Sequence, residues 1–159
     1  MNRQFDKGKQ VVRSKGGVVI PNETVADSER KKQSKRKTLS QLPVYRDASR
    51  LKYVTVLLVL KGAKKLSGFY DDLLRELTEV RNLIGFADYS RTAEDRTGNI
   101  NSALVLITGA KEDFKALRDG GVISKDEYNK IESLVNRIVA QLIGWRDYTN
   151  NEGAKNITQ

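Results

Sequence analysis

The chain has 159 residues, of which 38% are hydrophobic and 31% charged, enough for one folded domain plus some extra length. It contains no cysteine and no histidine, which excludes disulfides, thiolate nucleophiles, Cys/His zinc sites and histidine general bases. The net charge is +9, and residues 1–41 carry 11 Lys/Arg against 4 Asp/Glu, compared with 18 against 16 in the remainder. This distribution predicts a nearly neutral domain with a cationic N-terminal arm.

Residues 1–41 form the predicted arm, which we expect to be largely irregular. Residues 10–21 place two β-branched runs around a Ser-Lys-Gly-Gly turn, a pattern that allows a short hairpin. A later run has no apolar residue to bury, so we expect it to lack a fixed structure. The alternative is a solubilising tail that contacts nothing, but the density of cations in this run favours phosphate binding with counterion release. Its six cations within eight residues are Arg30, Lys31, Lys32, Lys35, Arg36 and Lys37.

A first helix is predicted from Val44 to about Ala63, after Leu42-Pro43. One face carries apolar residues at helical spacing, at Val44, Ala48, Leu51, Val54 and Leu58. The second half of this helix is apolar nearly all round, and a helix of that kind must be covered on every side. A subunit interface is therefore predicted at Tyr53, Val56, Leu57 and Leu60.

Three further helices follow. The second is predicted from about Phe69 to Ser90, and the third from about Asn99 to Arg118, with a polar turn-containing segment between them. Ser124 and Glu127 form a capping box that opens the fourth helix. We expect this helix to fray after Tyr148 and residues 149–159 to form a flexible tail.

Four amphipathic helices joined by short turns predict an all-α fold, an antiparallel up-down four-helix bundle over residues 42–148. The longest apolar run, Val54 to Leu60, is too short to span a bilayer, so no membrane association is expected. The first seven residues lack the apolar stretch of a signal peptide, and we therefore expect a cytoplasmic protein.

Catalysis is the weaker functional interpretation. Adjacent acids occur at four places, but neighbouring residues on a helix do not face each other, so spacing alone gives no carboxylate dyad. A metal-dependent nuclease using Asp71, Asp72, Glu94 and Asp95 is a remaining alternative. No phosphate-binding loop is present, and we expect no catalytic residue, no metal and no cofactor.

Basic residues of the bundle are further candidates for phosphate contacts. Each one alone is more simply a solvated or salt-bridged side chain, and the sequence does not tell whether they converge. The candidates are Lys61, Lys64, Lys65, Arg75, Arg81, Arg91 and Arg96. The six tyrosines fit core or interface positions better than base-stacking positions.

Three stretches resemble a known family of small four-helix bundles. Leu42-Pro43-Val44-Tyr45 is similar to the start of proteins encoded in intervening sequences of bacterial 23S rRNA genes and of the accessory variability determinant (Avd) proteins of diversity-generating retroelements. The segment 87–91 with Arg96 resembles the end of the second helix in the Avd-like branch. The segments 122–128 and 141–145 resemble the start and end of its fourth helix. The resemblance covers about residues 42–148, and the 41-residue arm departs from it.

The resemblance implies a homopentamer that binds nucleic acid and a partner reverse transcriptase. By that analogy, the chain would bind template RNA, with DNA as a second candidate ligand, and help the enzyme copy the RNA into mutagenised cDNA. The alternative is an orphan bundle of the 23S rRNA intervening-sequence type, an interaction protein without a reverse transcriptase partner.

Overall fold

The computed structural model describes residues 38–62 and 67–157. A short 3-10 turn, Leu39–Gln41, precedes four helices, which we number α1, Pro43–Gly62, α2, Ser67–Tyr89, α3, Ala93–Asp119, and α4, Lys125–Ile157. Within these two ranges there is no strand. The predicted all-α four-helix bundle is therefore confirmed. The predicted hairpin at residues 10–21 lies outside the described residues.

The helices run alternately up and down. Each helix packs against the next one in the chain, and α4 packs against α1 and closes the bundle. Lys61 near the end of α1 lies 3.9 Å from Glu127 at the start of α4, which requires the two helices to be antiparallel. Thr97 at the start of α3 donates a 3.0 Å hydrogen bond to Asn150 near the end of α4.

The core follows the three- and four-residue spacing of the apolar residues. Each large aliphatic side chain removed from water contributes about 1.5–3 kcal/mol. The largest fully buried side chains of the core include Tyr70, Leu73, Leu77, Ile84, Ile100, Ile107, Phe114, Ile131, Ile138 and Leu142. Trp145, predicted to serve packing, lies partly buried against this core.

The core face of α1 differs from the prediction at one turn. Val44, Ala48 and Leu51 are buried as expected, but the next buried position is Thr55, while Val54 and Leu58 are only half-buried. The Thr55 hydroxyl donates a 2.9 Å hydrogen bond to the carbonyl oxygen of Leu51. Because this bond satisfies the hydroxyl, a polar residue can occupy the core line.

Two helix boundaries also differ. The third helix begins at Ala93 instead of Asn99, because Thr92 caps it: the Thr92 hydroxyl oxygen accepts a 3.0 Å hydrogen bond from the amide of Asp95. The fourth helix continues past Tyr148 to Ile157. Thr149 is only 2% exposed and donates to the carbonyl oxygen of Trp145, so the helix still has a buried face beyond the expected end.

The predicted capping box is confirmed. The Ser124 amide donates to the Glu127 carboxylate at 2.9 Å, and the Glu127 amide donates to the Ser124 hydroxyl at 3.2 Å. Before it, Gly121 has a φ of 69°, a left-handed conformation that ends α3. No helix in the described ranges is long and apolar enough to cross a membrane.

Candidate nucleic-acid interface

The densest predicted cations lie outside the described residues. These are Arg30, Lys31, Lys32, Lys35, Arg36 and Lys37 in the arm, and Lys64 and Lys65 between α1 and α2. Their contribution to charge is nevertheless clear from the sequence. Described residues carry 16 Lys/Arg and 16 Asp/Glu, so the net charge of +9 lies entirely in residues 1–37 and in Lys64 and Lys65.

The neutral bundle is itself polarised. Helix α1 carries four cations against one acid, a net charge of +3. Helix α2 carries five acids against two arginines, a net charge of −3. Two neighbouring helices of the same bundle therefore present opposite charge to solvent.

The Arg81 side chain contacts Tyr45 within the bundle. Its Nη2 donates a 2.8 Å hydrogen bond to the Tyr45 hydroxyl, and the guanidinium carbon lies 5.2 Å from the centroid of the Tyr45 ring. The Arg81 Nε is buried and has no hydrogen-bond partner among the described residues. A side chain engaged in this way ties α2 to α1 and presents little of its charge to a phosphate.

Arg96 has a structural role as well. Its Nε donates to the carbonyl oxygen of Ala87 at 3.1 Å, and its Nη2 donates to that of Ser90 at 3.0 Å. These carbonyls belong to the end of α2, where no further helical turn supplies amide donors. Arg96 thus caps α2 from the first turn of α3.

Three predicted cations remain exposed. Arg75 makes a 2.6 Å contact with Asp72 on the same helix, Lys61 lies near Glu127, and Arg91 lies in the turn between α2 and α3. Lys61 and Arg91 are at opposite ends of the bundle, because α2 returns from one end to the other between them. Those predicted bundle cations that the structure describes therefore do not converge on one site.

The structure brings together four cations of α1 and α4, Lys61 among them, that their sequence spacing does not connect. Arg50 and Lys61 of α1 and Lys130 and Arg137 of α4 border a groove of about 590 Å³, accompanied by the single acid Glu127. We call it the α1–α4 groove. Its floor is apolar, formed by Val54, Leu57, Leu58, Ile131 and Leu134. Arg50 and Lys130 are 80 residues apart in the chain, so sequence spacing gives no signal that they meet.

The predicted interface residues lie on the surface of the single chain. Leu60 is 77% exposed, Tyr53 63% and Leu57 40%, while Val56 is half-buried. They occupy the side of α1 turned away from the buried line of Val44, Ala48, Leu51 and Thr55. We call Tyr53, Val56, Leu57 and Leu60 the outer stripe of α1.

Aromatic side chains divide into two groups. Tyr70 and Tyr128 are buried and Tyr45 is half-buried, as expected for packing. Tyr53, Tyr89 and Tyr148 are exposed, and Phe86 is exposed one helical turn before Tyr89. Phe86 and Tyr89 therefore form a second apolar surface at the end of α2.

Carboxylates make local contacts. Asp72 pairs with Arg75, and Asp95 takes part in the Thr92 cap. Across α2 and α3, burial raises the pKa of Glu76 and the neighbouring Asp113 carboxylate adds to it; burial also raises the pKa of Asp113. Among the described residues, no three acids lie together as a group able to hold a metal ion.

Comparison of the chain with protein-family models, with curated proteins and with solved structures found no match.

Proposed function

We propose that this protein is an accessory nucleic-acid-binding subunit that associates with a retroelement reverse transcriptase and its template RNA. Binding, not catalysis, is its contribution. The observation that carries the proposal is the separation of charge: a neutral folded bundle bears two strongly cationic segments that account for the whole net charge of +9. Charge concentrated in this way favours a polyanionic partner, because neutralising phosphates releases their counterions.

The positions of these segments along the chain support contacts with an extended ligand. One cationic segment ends just before α1 and the other begins just after it. Helix α1 has 20 residues and is therefore about 30 Å long. Two cationic segments joined in the chain to opposite ends of a helix of this length suit a nucleic-acid strand better than a small anion.

The reverse transcriptase partner rests on the family resemblance of residues 42–148. The same resemblance suggests a homopentamer. The exposed outer stripe of α1 independently favours self-association, since a contiguous row of large apolar side chains gains free energy when it is covered. Template RNA is the favoured ligand, with DNA as a second possibility.

The alternative function is an orphan interaction bundle of the 23S rRNA intervening-sequence type. The genomic neighbourhood separates the two. A nearby reverse-transcriptase gene with a template and variable repeat pair supports the accessory subunit, and its absence supports the orphan bundle.

The direct test is co-purification of the full chain with the adjacent reverse transcriptase and the element's RNA across a salt series. A second sample replaces the six arm cations Arg30, Lys31, Lys32, Lys35, Arg36 and Lys37 with Gln. If all six contact single-stranded RNA, the slope of log affinity against log salt should fall by about 4.

A control replaces Lys115 and Lys125, two described lysines that belong to neither cationic segment, with Gln. The control should retain the wild-type salt slope. Failure of the wild-type chain to bind RNA or the enzyme at low salt would overturn the proposed function.

A further inference from the structure

Two exposed surfaces of this chain complement each other in charge and in apolar character. The first is the α1–α4 groove, with its apolar floor and its rim of Arg50, Lys61, Lys130 and Arg137. The second is the outward side of α2. Both are formed by described residues, and no other described residue covers either surface.

The groove is cationic even after its internal contacts are considered. Arg137 is engaged by Asp47, and Lys61 lies 3.9 Å from Glu127. Arg50 and Lys130 are exposed and make no ion pair within the described ranges. The groove therefore keeps unneutralised positive charge beside the half-buried Val54 and Leu58. Leu57 belongs both to the groove floor and to the outer stripe of α1, so the two apolar surfaces are continuous.

The outward side of α2 has the opposite charge. Asp71, Asp72 and Glu79 are exposed along its first half, where only Arg75 opposes them. The second half ends in exposed Phe86 and in Tyr89, which is 74% exposed. We call this surface the α2 face; it is acidic at one end and aromatic at the other.

We propose that the α2 face of one copy of this chain docks against the α1–α4 groove of a second copy. Asp71 and Glu79 then approach Arg50 and Lys130, and the aromatic end of α2 covers the outer stripe of α1. The inference deepens the homo-oligomer that forms part of the proposed function and rests on it. It names the two surfaces that meet.

Both surfaces extend over about three to four helical turns. Arg50 and Lys61 are separated by 11 residues of α1, or about 16 Å of helix. Asp72 and Phe86 are separated by 14 residues of α2, or about 21 Å. One helix side can therefore place its acids at the rim of the groove and its aromatic residues on the adjoining apolar surface.

This contact is head to tail. Each copy carries one groove and one α2 face, so a bound copy still presents a free groove or a free α2 face to the next. Contacts of this type build a closed ring when the rotation between copies completes a circle.

A second copy fits the groove better than nucleic acid does. A phosphate backbone would satisfy Arg50 and Lys130 but would leave the apolar floor and the outer stripe exposed to water. An amphipathic acidic helix satisfies the cations and covers the apolar residues at once.

The test is a charge-reversal experiment on the full chain, freed of nucleic acid with nuclease and high salt. The groove variant carries Arg50→Glu and Lys130→Glu, and the face variant carries Asp71→Lys and Glu79→Lys. All four side chains are exposed, and urea unfolding checks that each variant is folded. Masses are measured by light scattering at about 150 mM salt.

Wild-type chain should be an oligomer, and each variant alone should have the mass of a single chain. A chain carrying all four substitutions should assemble again, because its groove and α2 face are complementary once more. The control Lys115→Glu also makes the bundle more negative, but at a position outside both surfaces. This variant should assemble like the wild type.

A monomeric wild-type chain, or variants that assemble unchanged, would overturn the inference. RNA binding measured on the same samples separates it from the proposed function. Loss of RNA binding by the groove variant with no change in mass would make the groove a nucleic-acid surface. A wild-type oligomer that responds to charge reversal but binds no RNA would leave the docking intact and reject the RNA-binding function.

Discussion

Arg137 of α4 donates two hydrogen bonds to the Asp47 carboxylate of α1, from its Nε at 2.7 Å and from its Nη2 at 2.9 Å. Gln141, one turn further along α4, donates a third to the same carboxylate at 2.9 Å. The Asp47 side chain is only 17% exposed, so this cluster is the main polar link between the first and last helices among the described residues. Bidentate guanidinium–carboxylate contacts fix geometry as well as adding energy.

We predict that Asp47→Asn lowers the free energy of unfolding by about 1 kcal/mol at neutral pH, because the pair is partly screened by water. Burial alone would raise the pKa of Asp47, but the hydrogen bonds from Arg137 and Gln141 outweigh it and lower the pKa. Because the pKa of Asp47 is lower in the folded state, its ionised carboxylate stabilises the fold at pH values above the ordinary pKa. This stabilisation is lost as the pH falls through the pKa of the folded state. The difference between wild type and variant should therefore shrink below about pH 4.

Urea unfolding at neutral and acidic pH measures this effect. Asp147→Asn is the matched control, since Asp147 also pairs with an arginine, Arg146, but is exposed and stays within its own helix. It should change stability little at either pH. Equal losses for the two variants would mean that the link between α1 and α4 adds nothing beyond an ordinary surface pair.

Arg96 and Arg91 should separate stability from binding. Arg96→Met keeps the aliphatic stem but removes both hydrogen bonds to the end of α2, and should lower the free energy of unfolding by about 1–2 kcal/mol. Arg91→Met alters an exposed turn residue and should leave stability within about 0.5 kcal/mol of the wild type.

RNA binding, measured by filter retention, should show the opposite order if Arg91 contacts phosphate. Arg91→Met then weakens binding, while folded Arg96→Met binds like the wild type. A stable Arg96→Met protein with weakened RNA binding would return Arg96 to the interface predicted from sequence.

Arg91 and Arg96 also show which features of this fold the sequence can predict and which it cannot. Helix number, order and core positions follow from local periodicity, and the Ser124 cap follows from a four-residue pattern. The start of α3 had a similar signal in Thr92-Ala93-Glu94-Asp95, whose spacing matches a helix N-terminus, but the glycine at position 98 obscured it. Whether an arginine caps a helix or faces solvent depends on where the chain returns in space. Likewise, Asp47 and Arg137 are 90 residues apart, and no local pattern links them.

Glu76 should respond to pH in the opposite sense to Asp47. Burial and the facing Asp113 raise its pKa in the folded state, so the fold is penalised at pH values where Glu76 must ionise. Glu76→Gln should therefore stabilise the protein at neutral pH, by up to about 0.5 kcal/mol. This gain should vanish in acid, below about pH 4, where the wild-type carboxyl is protonated in both states.

The control for Glu76 is Glu112→Gln on α3. Glu112 is exposed and lies 3.8 Å from Lys115 of the same helix, outside both proposed docking surfaces. Thermal unfolding should place the Glu112 variant close to the wild type. A Glu76→Gln protein that is less stable at neutral pH would mean that the carboxylate makes a favourable contact in the fold.

Gly121 and Gly109 should give opposite results when changed to alanine. Gly121 has a φ of 69°, which an L-residue with a Cβ adopts only with strain, so Gly121→Ala should cost about 1 kcal/mol or more. Gly109 lies within α3 with nothing within 4 Å of an added Cβ, so Gly109→Ala should gain about 0.5–1 kcal/mol from helix propensity. Urea unfolding of both variants measures the difference, and a gain at Gly121 would contradict the left-handed turn that joins α3 to α4.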